Sequence, residues 1–286
     1  MKLLLGLFIV IGCVLGGFVL HHGQLVLLFV PTEYLIICGM ALGAMVAANP
    51  PHVLKAVIQQ IWAVLSGDAP RRADYVDALQ MLYELLQLSR KDGVLALEAH
   101  IERPADSSIM GKYASFQRDA GAVDFLCDTL KLFVAGVLEP HDLDELMERD
   151  LEVMHKEDLA PGRAVQTVAD SLPAIGIVAA VLGIILTMQA IDQGAAVVGV
   201  KVAGALVGTF LGVFLAYGIA GPSAAAMTSI ADARDRYRQC LRQVLNAGLA
   251  GVTPPLAVEI GRRNIFTAER PSFEELEEAL RRLRGS

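Results

Sequence analysis

Three side chains able to do chemistry lie inside two long uncharged stretches: Thr187, Thr209 and Tyr217. From Ser171 to Ile191, and again from Val202 to Ala231, no residue carries a formal charge. Hydroxyls donate and accept hydrogen bonds but hold no net charge near neutral pH. Moving a proton or ion through a membrane ordinarily uses a titratable group within it. With the apolar spans bounded as below, no Asp, Glu, Lys, Arg or His falls away from their ends. If this chain moves ions, a second protein is therefore expected to bring the carboxylate.

The elements that position these hydroxyls are membrane helices. Each uncharged stretch reaches the roughly 20 residues needed to cross a hydrocarbon core, and in lipid the backbone must satisfy its own hydrogen bonds. Small residues recur along both: Gly176, Ala180, Gly183 and Thr187 in the first, and Gly204, Gly208, Gly212, Ala216 and Ala220 in the second. Such faces let helices approach closely, either inside one subunit or around a channel. Pro173 and Pro222 lie at matched distances from the 192–201 turn, and each removes a helix hydrogen bond and suggests a bend.

Two more apolar runs, 3–20 and 34–48, open the chain, and the first is followed by no A-x-A cleavage site. Lys2, Lys55, Arg163, Arg234, Arg236 and Arg238 flank one side of the four spans, with Lys201 and Asp192 on the other. The positive-inside rule then puts both termini in the cytoplasm. The expected fold class is an all-α membrane protein: four transmembrane helices, plus a large helical cytoplasmic domain formed by the helix 2–3 loop and the C-terminal tail. The segments are 1–50 (helices 1 and 2), 51–167 (cytoplasmic), 168–231 (helices 3 and 4) and 232–286 (tail). In the loop, amphipathic helices are expected over 52–65, 75–88, 122–137 and 143–154, with a short piece over 94–101. Ser272 and Glu275 form a capping box that starts a polar, solvated end helix, with Glu277/Arg281 and Glu278/Arg282 as i,i+4 pairs.

Composition agrees. The chain is 54% apolar and 19% charged, with mean hydropathy +0.50, as suits a membrane protein with a substantial aqueous part. A net charge of −7 argues against a nucleic-acid partner. Cys13, Cys38, Cys127 and Cys240 form no CxxC or Cys/His cluster, so neither zinc nor a disulfide framework is indicated. His21 and His22 are adjacent and point to different faces. No GxSxG, HExxH or P-loop motif points to an enzyme.

The segments 170–180 (DSLPAIGIVAA) and 207–212 (VGTFLG), with Tyr217 and Pro222, resemble the flagellar stator branch, MotA, of the MotA/TolQ/ExbB proton channel family. Segments 88–104 (LSRKDGVLALEAHIERP), 254–263 (PPLAVEIGRR) and 269–273 (ERPSF) extend the resemblance to nearly the whole chain. It implies a flagellar motor stator subunit of the bacterial inner membrane, serving flagellum-dependent motility and chemotaxis. It also implies a homo-pentamer around two copies of MotB, a one-span partner whose membrane aspartate carries the transported proton; no cofactor is implied. Arg90 and Glu98 match the segment that contacts the rotor switch protein FliG, although from sequence alone they read equally as charges on a solvated face.

Asp170, Pro173, Ala180, Thr209 and Pro222 match positions of channel and torque coupling in the same family. Thr209 would face the partner's carboxylate. Asp170, at the mouth of helix 3, reads as a helix-N-terminal cap or as a proton exit. At Ala180 sodium-driven relatives carry a threonine, so alanine favours protons, unless it merely packs. The alternative is an ExbB- or TolQ-like proton channel energising outer-membrane processes; those relatives have three spans and lack the Arg90/Glu98 segment.

Overall fold

The computed structural model of the chain describes residues 2–284; Met1, Gly285 and Ser286, the outer ends of the expected segments, lie outside the described residues. In order, the helices are α1 Lys2–Leu20, α2 Pro31–Ala48, α3 Pro51–Ser66, α4 Arg72–Asp92, α5 Glu98–Glu102, α6 Ala114–Gln117, α7 Ala120–Ala135, α8 Pro140–Met188, α9 Ala195–Phe214, α10 Gly221–Leu249, α11 Pro254–Asn264 and α12 Phe273–Arg284. Among the described residues there is no strand. Four helical stretches are long and apolar enough to cross a membrane: Lys2–Leu20, Leu25–Ala48, Pro140–Met188 and Ala195–Leu249. The chain is an all-α membrane protein.

Local chemistry sets many of the boundaries. Pro31 and Pro51 occupy the first turn of α2 and α3, where a missing N–H costs nothing. Gly67 and Gly136 end α3 and α7 in the left-handed region, at φ 72° and 63°, which only a residue without Cβ adopts freely. Asp119 caps α7 by accepting from the Ala122 N–H at 3.1 Å.

Cα proximity divides the chain into two compact units, Met1–Asp68 with Asp158–Ile230, and Ala69–Glu157 with Ala231–Ser286. The first, the membrane unit, contains a core of Ile37, Ala41, Leu172, Ile175, Ala179, Leu211 and Ala216. The second, the aqueous unit, is built on α4, whose Leu79, Met81, Leu82 and Tyr83 are almost wholly buried against Leu126, Leu241, Val244 and Val258. Each such side chain contributes roughly 1.5–3 kcal/mol. Buried ion pairs tie the same core together: Arg238 meets Asp119 at 3.2 Å, and Arg242 meets Asp144 at 2.8 Å and Glu148 at 3.3 Å.

Two expectations are corrected. The helix expected over 143–154 is no separate element; α8 runs without interruption from Pro140 to Met188, through Pro161 and Pro173. Pro161-Gly162 punctuates the sequence as a break, yet packing overrides it. A Cβ on Gly162 would stand 3.1 Å from Thr228 Oγ1 and 3.4 Å from Thr228 N, so the glycine serves a close approach of α10. Second, α12 is no solvated end piece. Its capping box forms as expected, with Ser272 N–H on Glu275 Oε2 at 3.2 Å and Glu275 N–H on Ser272 Oγ at 3.0 Å, and both ion pairs form. But Leu276 and Leu280 are buried in the aqueous core, and Gln80 of α4 donates to the Ala279 carbonyl at 3.1 Å.

Candidate functional site

In the membrane unit the glycines of α8 and α9 are spent on each other. A Cβ on Gly176 would stand 2.8 Å from the Gly208 carbonyl oxygen and 3.0 Å from Gly212 Cα. One on Gly212 would stand 2.6 Å from the Leu172 carbonyl oxygen, and one on Gly183 2.7 Å from Ala205 Cβ. Contacts this short are backbone against backbone, and without a hydrophobic drive in lipid they carry the association through dispersion. The small-residue faces expected to line a channel are thus occupied within the subunit. Gly204 is the exception: a Cβ there would have nothing within 4 Å.

The seam gathers several of the expected positions. Ala180 N lies 3.2 Å from where a Gly208 Cβ would stand, which brings Ala180 alongside the turn that carries Thr209. Leu172, against Gly212, brings Pro173 to the same seam. Pro173, Ala180, Thr209 and Pro222 are all half-buried. The two prolines are accommodated differently. Pro173 sits inside uninterrupted α8, whereas Pro222 follows a wide π turn over Leu215–Ala220, closed by the Gly221 N–H on the Ala216 carbonyl. Such turns relieve the clash of a proline ring with the preceding turn and recur at functional positions. Thr187 donates to the Gly183 carbonyl at 2.8 Å and is buried, while Tyr217 is exposed.

Asp170 is exposed and accepts from Gln166 Nε2 at 2.7 Å. The capping role is excluded: α8 begins at Pro140, so no free helix N–H groups exist at 170.

One membrane carboxylate departs from expectation. The apolar run from Leu25 joins α2 into a 24-residue span, Leu25–Ala48, and Glu33 lies inside it rather than before it. Its side chain reaches into the α8–α9 seam: Oε2 is 2.5 Å from the Gly208 Cβ position and Oε1 3.4 Å from that of Gly183. Glu33 is 5% exposed. The expectation that the spans lack a titratable group is corrected here. The signal in the sequence is the Leu25–Val30 run, which extends the span upstream of Pro31.

In the aqueous unit Arg90 ends α4 and Glu98 begins α5, joined by Gly93 at φ 89° and a 3₁₀ turn over Val94–Leu97. Both side chains are exposed, and among the described residues neither is held in an ion pair. Between and beside them Leu97 and Ile101 are buried and anchor the turn. Further support comes from Ser107, whose hydroxyl meets His100 Nδ1 at 2.7 Å and accepts from the Met110 N–H at 2.9 Å. Glu84 of α4 accepts from Lys112 Nζ and Tyr113 Oη, both at 2.6 Å. Burial and that carboxylate push the Tyr113 phenol well above its ordinary pKa. The arrangement fixes a firm base beneath two free charges. Among the described residues no group of three or more His, Cys, Asp or Glu could hold a metal ion.

Comparison with known proteins covers the whole chain. Residues 4–93 match the motility protein A N-terminal family, and residues 119–239 the MotA/TolQ/ExbB proton channel family. Motility protein A of Salmonella typhimurium is 38% identical over all of this chain and 97% of its own. The chemotaxis protein LafT of Vibrio parahaemolyticus is 38% identical over the full length of both. The fold is shared with a C. jejuni MotAB structure, with TM-score 0.78 and 18% identity over 95% of this chain and 98% of that one. It is shared also with the flagellar MotAB stator complex of Bacillus subtilis, with TM-score 0.73 and 23% identity over 96% and 98%. A chain that aligns end to end with motility protein A and carries both of its family segments belongs to the motility protein A branch of the MotA/TolQ/ExbB proton channel family.

Proposed function

We propose that this chain is the ring-forming stator subunit of a bacterial flagellar motor, assembling in several copies, five by the family pattern, with a MotB-type one-span partner in the inner membrane. Protons pass between the partner's membrane aspartate and this chain, and the ring turns against it. The end-to-end match to motility protein A is the observation that carries this reading. The names of the neighbouring structures, both MotAB, support the partner.

In this mechanism the chain binds no cofactor. Thr209 and Ala180, side by side at the seam, meet the partner's carboxylate, and the methyl of Ala180 leaves a proton as the fitting cargo. Asp170, exposed on α8, passes protons to the cytoplasm. Pro173 and Pro222 make the two helices yield. Each proton falling through 100 mV releases about 2.3 kcal/mol, so a step must repack small faces rather than break a large interface. Arg90 and Glu98, free of ion pairs and firmly based, push on FliG; exposed charges steer a fast contact without locking it.

The test separates torque from ion flow. With its partner co-expressed, the Arg90→Glu variant should lose rotation in a tethered-cell assay while proton flux and co-purification persist. Thr209→Phe should block flux, since overpacking a tight helix face costs typically about 1–3 kcal/mol. Normal rotation in Arg90→Glu, alone and combined with Glu98→Lys, would remove the rotor role.

A further inference from the structure

Glu33 has no structural task that accounts for it. A carboxyl group buried in a span is costly and is ordinarily paired or functional. Here Oε2 is fully buried without a hydrogen-bond partner, and no ion pair holds the side chain among the described residues. Its own helix does not use it either, since α2 begins at Val30 with no side-chain cap.

The surroundings are shaped to hold a carboxyl group rather than to neutralise a charge. At Gly208 and Gly183 the carboxyl occupies the space a methyl would fill, at 2.5 Å and 3.4 Å from the Cβ positions. Between Asp170 and its end at Met188, α8 brings no charged residue. The one charge of α9, Lys201, is seven positions from Gly208, about 10 Å along the axis. The titratable neighbour on α2 is Tyr34, whose hydroxyl donates to the Leu28 carbonyl at 3.4 Å. Asp192 lies in the turn between α8 and α9. Two hydroxyls frame the site: Thr187, one turn from Gly183, and Thr209, next to Gly208.

We propose that Glu33 is a second proton-binding carboxyl of the pathway, carried by this chain itself in the α8–α9 seam. The inference rests on the stator reading above. The step is reversible protonation: Oε2 takes a proton from water on the side of the 189–194 connection, the carboxylate becomes the acid, and the proton then leaves to the partner's carboxylate. No other bond changes. Each subunit of the ring then carries its own waiting site, and the partner's aspartate is loaded from it.

Two measurements test this. Infrared difference spectra between acid and alkaline buffer, taken on rings of this chain without a partner, should contain a carboxylic-acid C=O band that Glu33→Gln removes. In liposomes holding the complete complex, Glu33→Gln should lower proton flux about a hundredfold, the scale of a positioned proton-transfer group, and Glu33→Asp should restore part of it. The partner must co-purify equally with all three. Identical infrared spectra would overturn the proposal, because flux lost without a vanished band means a packing role only. A vanished band with unchanged flux would overturn it as well, by placing the site off the pathway. Both results leave the stator reading standing, whereas a wild-type complex that conducts no protons would remove that reading and this one together.

Discussion

Gly212→Ala is the sharpest test of the seam. The added methyl would stand 2.6 Å from the Leu172 carbonyl oxygen and 2.8 Å from Gly176 Cα. Both obstacles are backbone, so no side chain can rotate away. Carbon atoms pack best at about 3.5–4.0 Å, so the helices must part by roughly 1 Å, and each neighbouring contact forfeits about a quarter to a half of its attraction. Overpacking of this kind costs about 1–3 kcal/mol. The internal control is Gly204→Ala: the same four-residue register includes Gly204, but its methyl meets open space. There the better helix former should be neutral or stabilise by up to about 1 kcal/mol. Equilibrium unfolding of the two variants in mixed micelles, followed by helical circular dichroism, gives the comparison. Equal destabilisation by both, or none by Gly212→Ala, would refute the reading that this seam is an intrasubunit contact.

Three further outcomes are predicted. Leu276→Ala, in α12, should destabilise the aqueous unit by about 2–5 kcal/mol as a buried leucine does, where a solvated helix would lose almost nothing; chemical denaturation distinguishes the two. The Arg262 guanidinium, then Arg263, hold the Glu259 carboxyl down at about 2. A depressed folded value adds stability that is complete above the ordinary value of 4.5 and is lost as pH falls from there towards about 2. Discounted for solvent screening, the contribution is about 1–2 kcal/mol, and Glu259→Gln should flatten that part of an acid-denaturation curve. Finally, swimming speed should be independent of sodium at fixed pH and collapse with a protonophore, while speed that tracks sodium would show that the methyl of Ala180 does not choose the cargo.

Much of this is legible from residue types. Uncharged length announces the spans, and Ser272 with Glu275 announces the start of α12, because both signals are local. What escapes is decided by neighbours distant in the chain. The recurrence of Gly204, Gly208 and Gly212 treats them alike, yet only the last two face α8. The charges of α12 outnumber its leucines, and so conceal the docking of Leu276 and Leu280. Pro161-Gly162 reads as a break until Thr228 is seen to need that room. Glu33 escapes because Pro31 marks a helix start, and a helix start reads as the edge of a span. The pair Arg90 and Glu98 carries no intrinsic mark at all; resemblance singles it out, and exposure without ion pairs is consistent with that use.

The π turn before Pro222 also constrains how this chain can change. An α turn advances about 100° per residue, and the wider turn over Leu215–Ala220 absorbs what amounts to one inserted residue. Deleting a single residue there would allow a regular ladder but rotate all that follows by about 100°. Ala224 and Met227, buried in the membrane unit, would swing off their packed face. Insertions and deletions in this stretch are therefore phase errors, not changes of length, and a shortened homologue could be viable only with a compensating residue before Ala224.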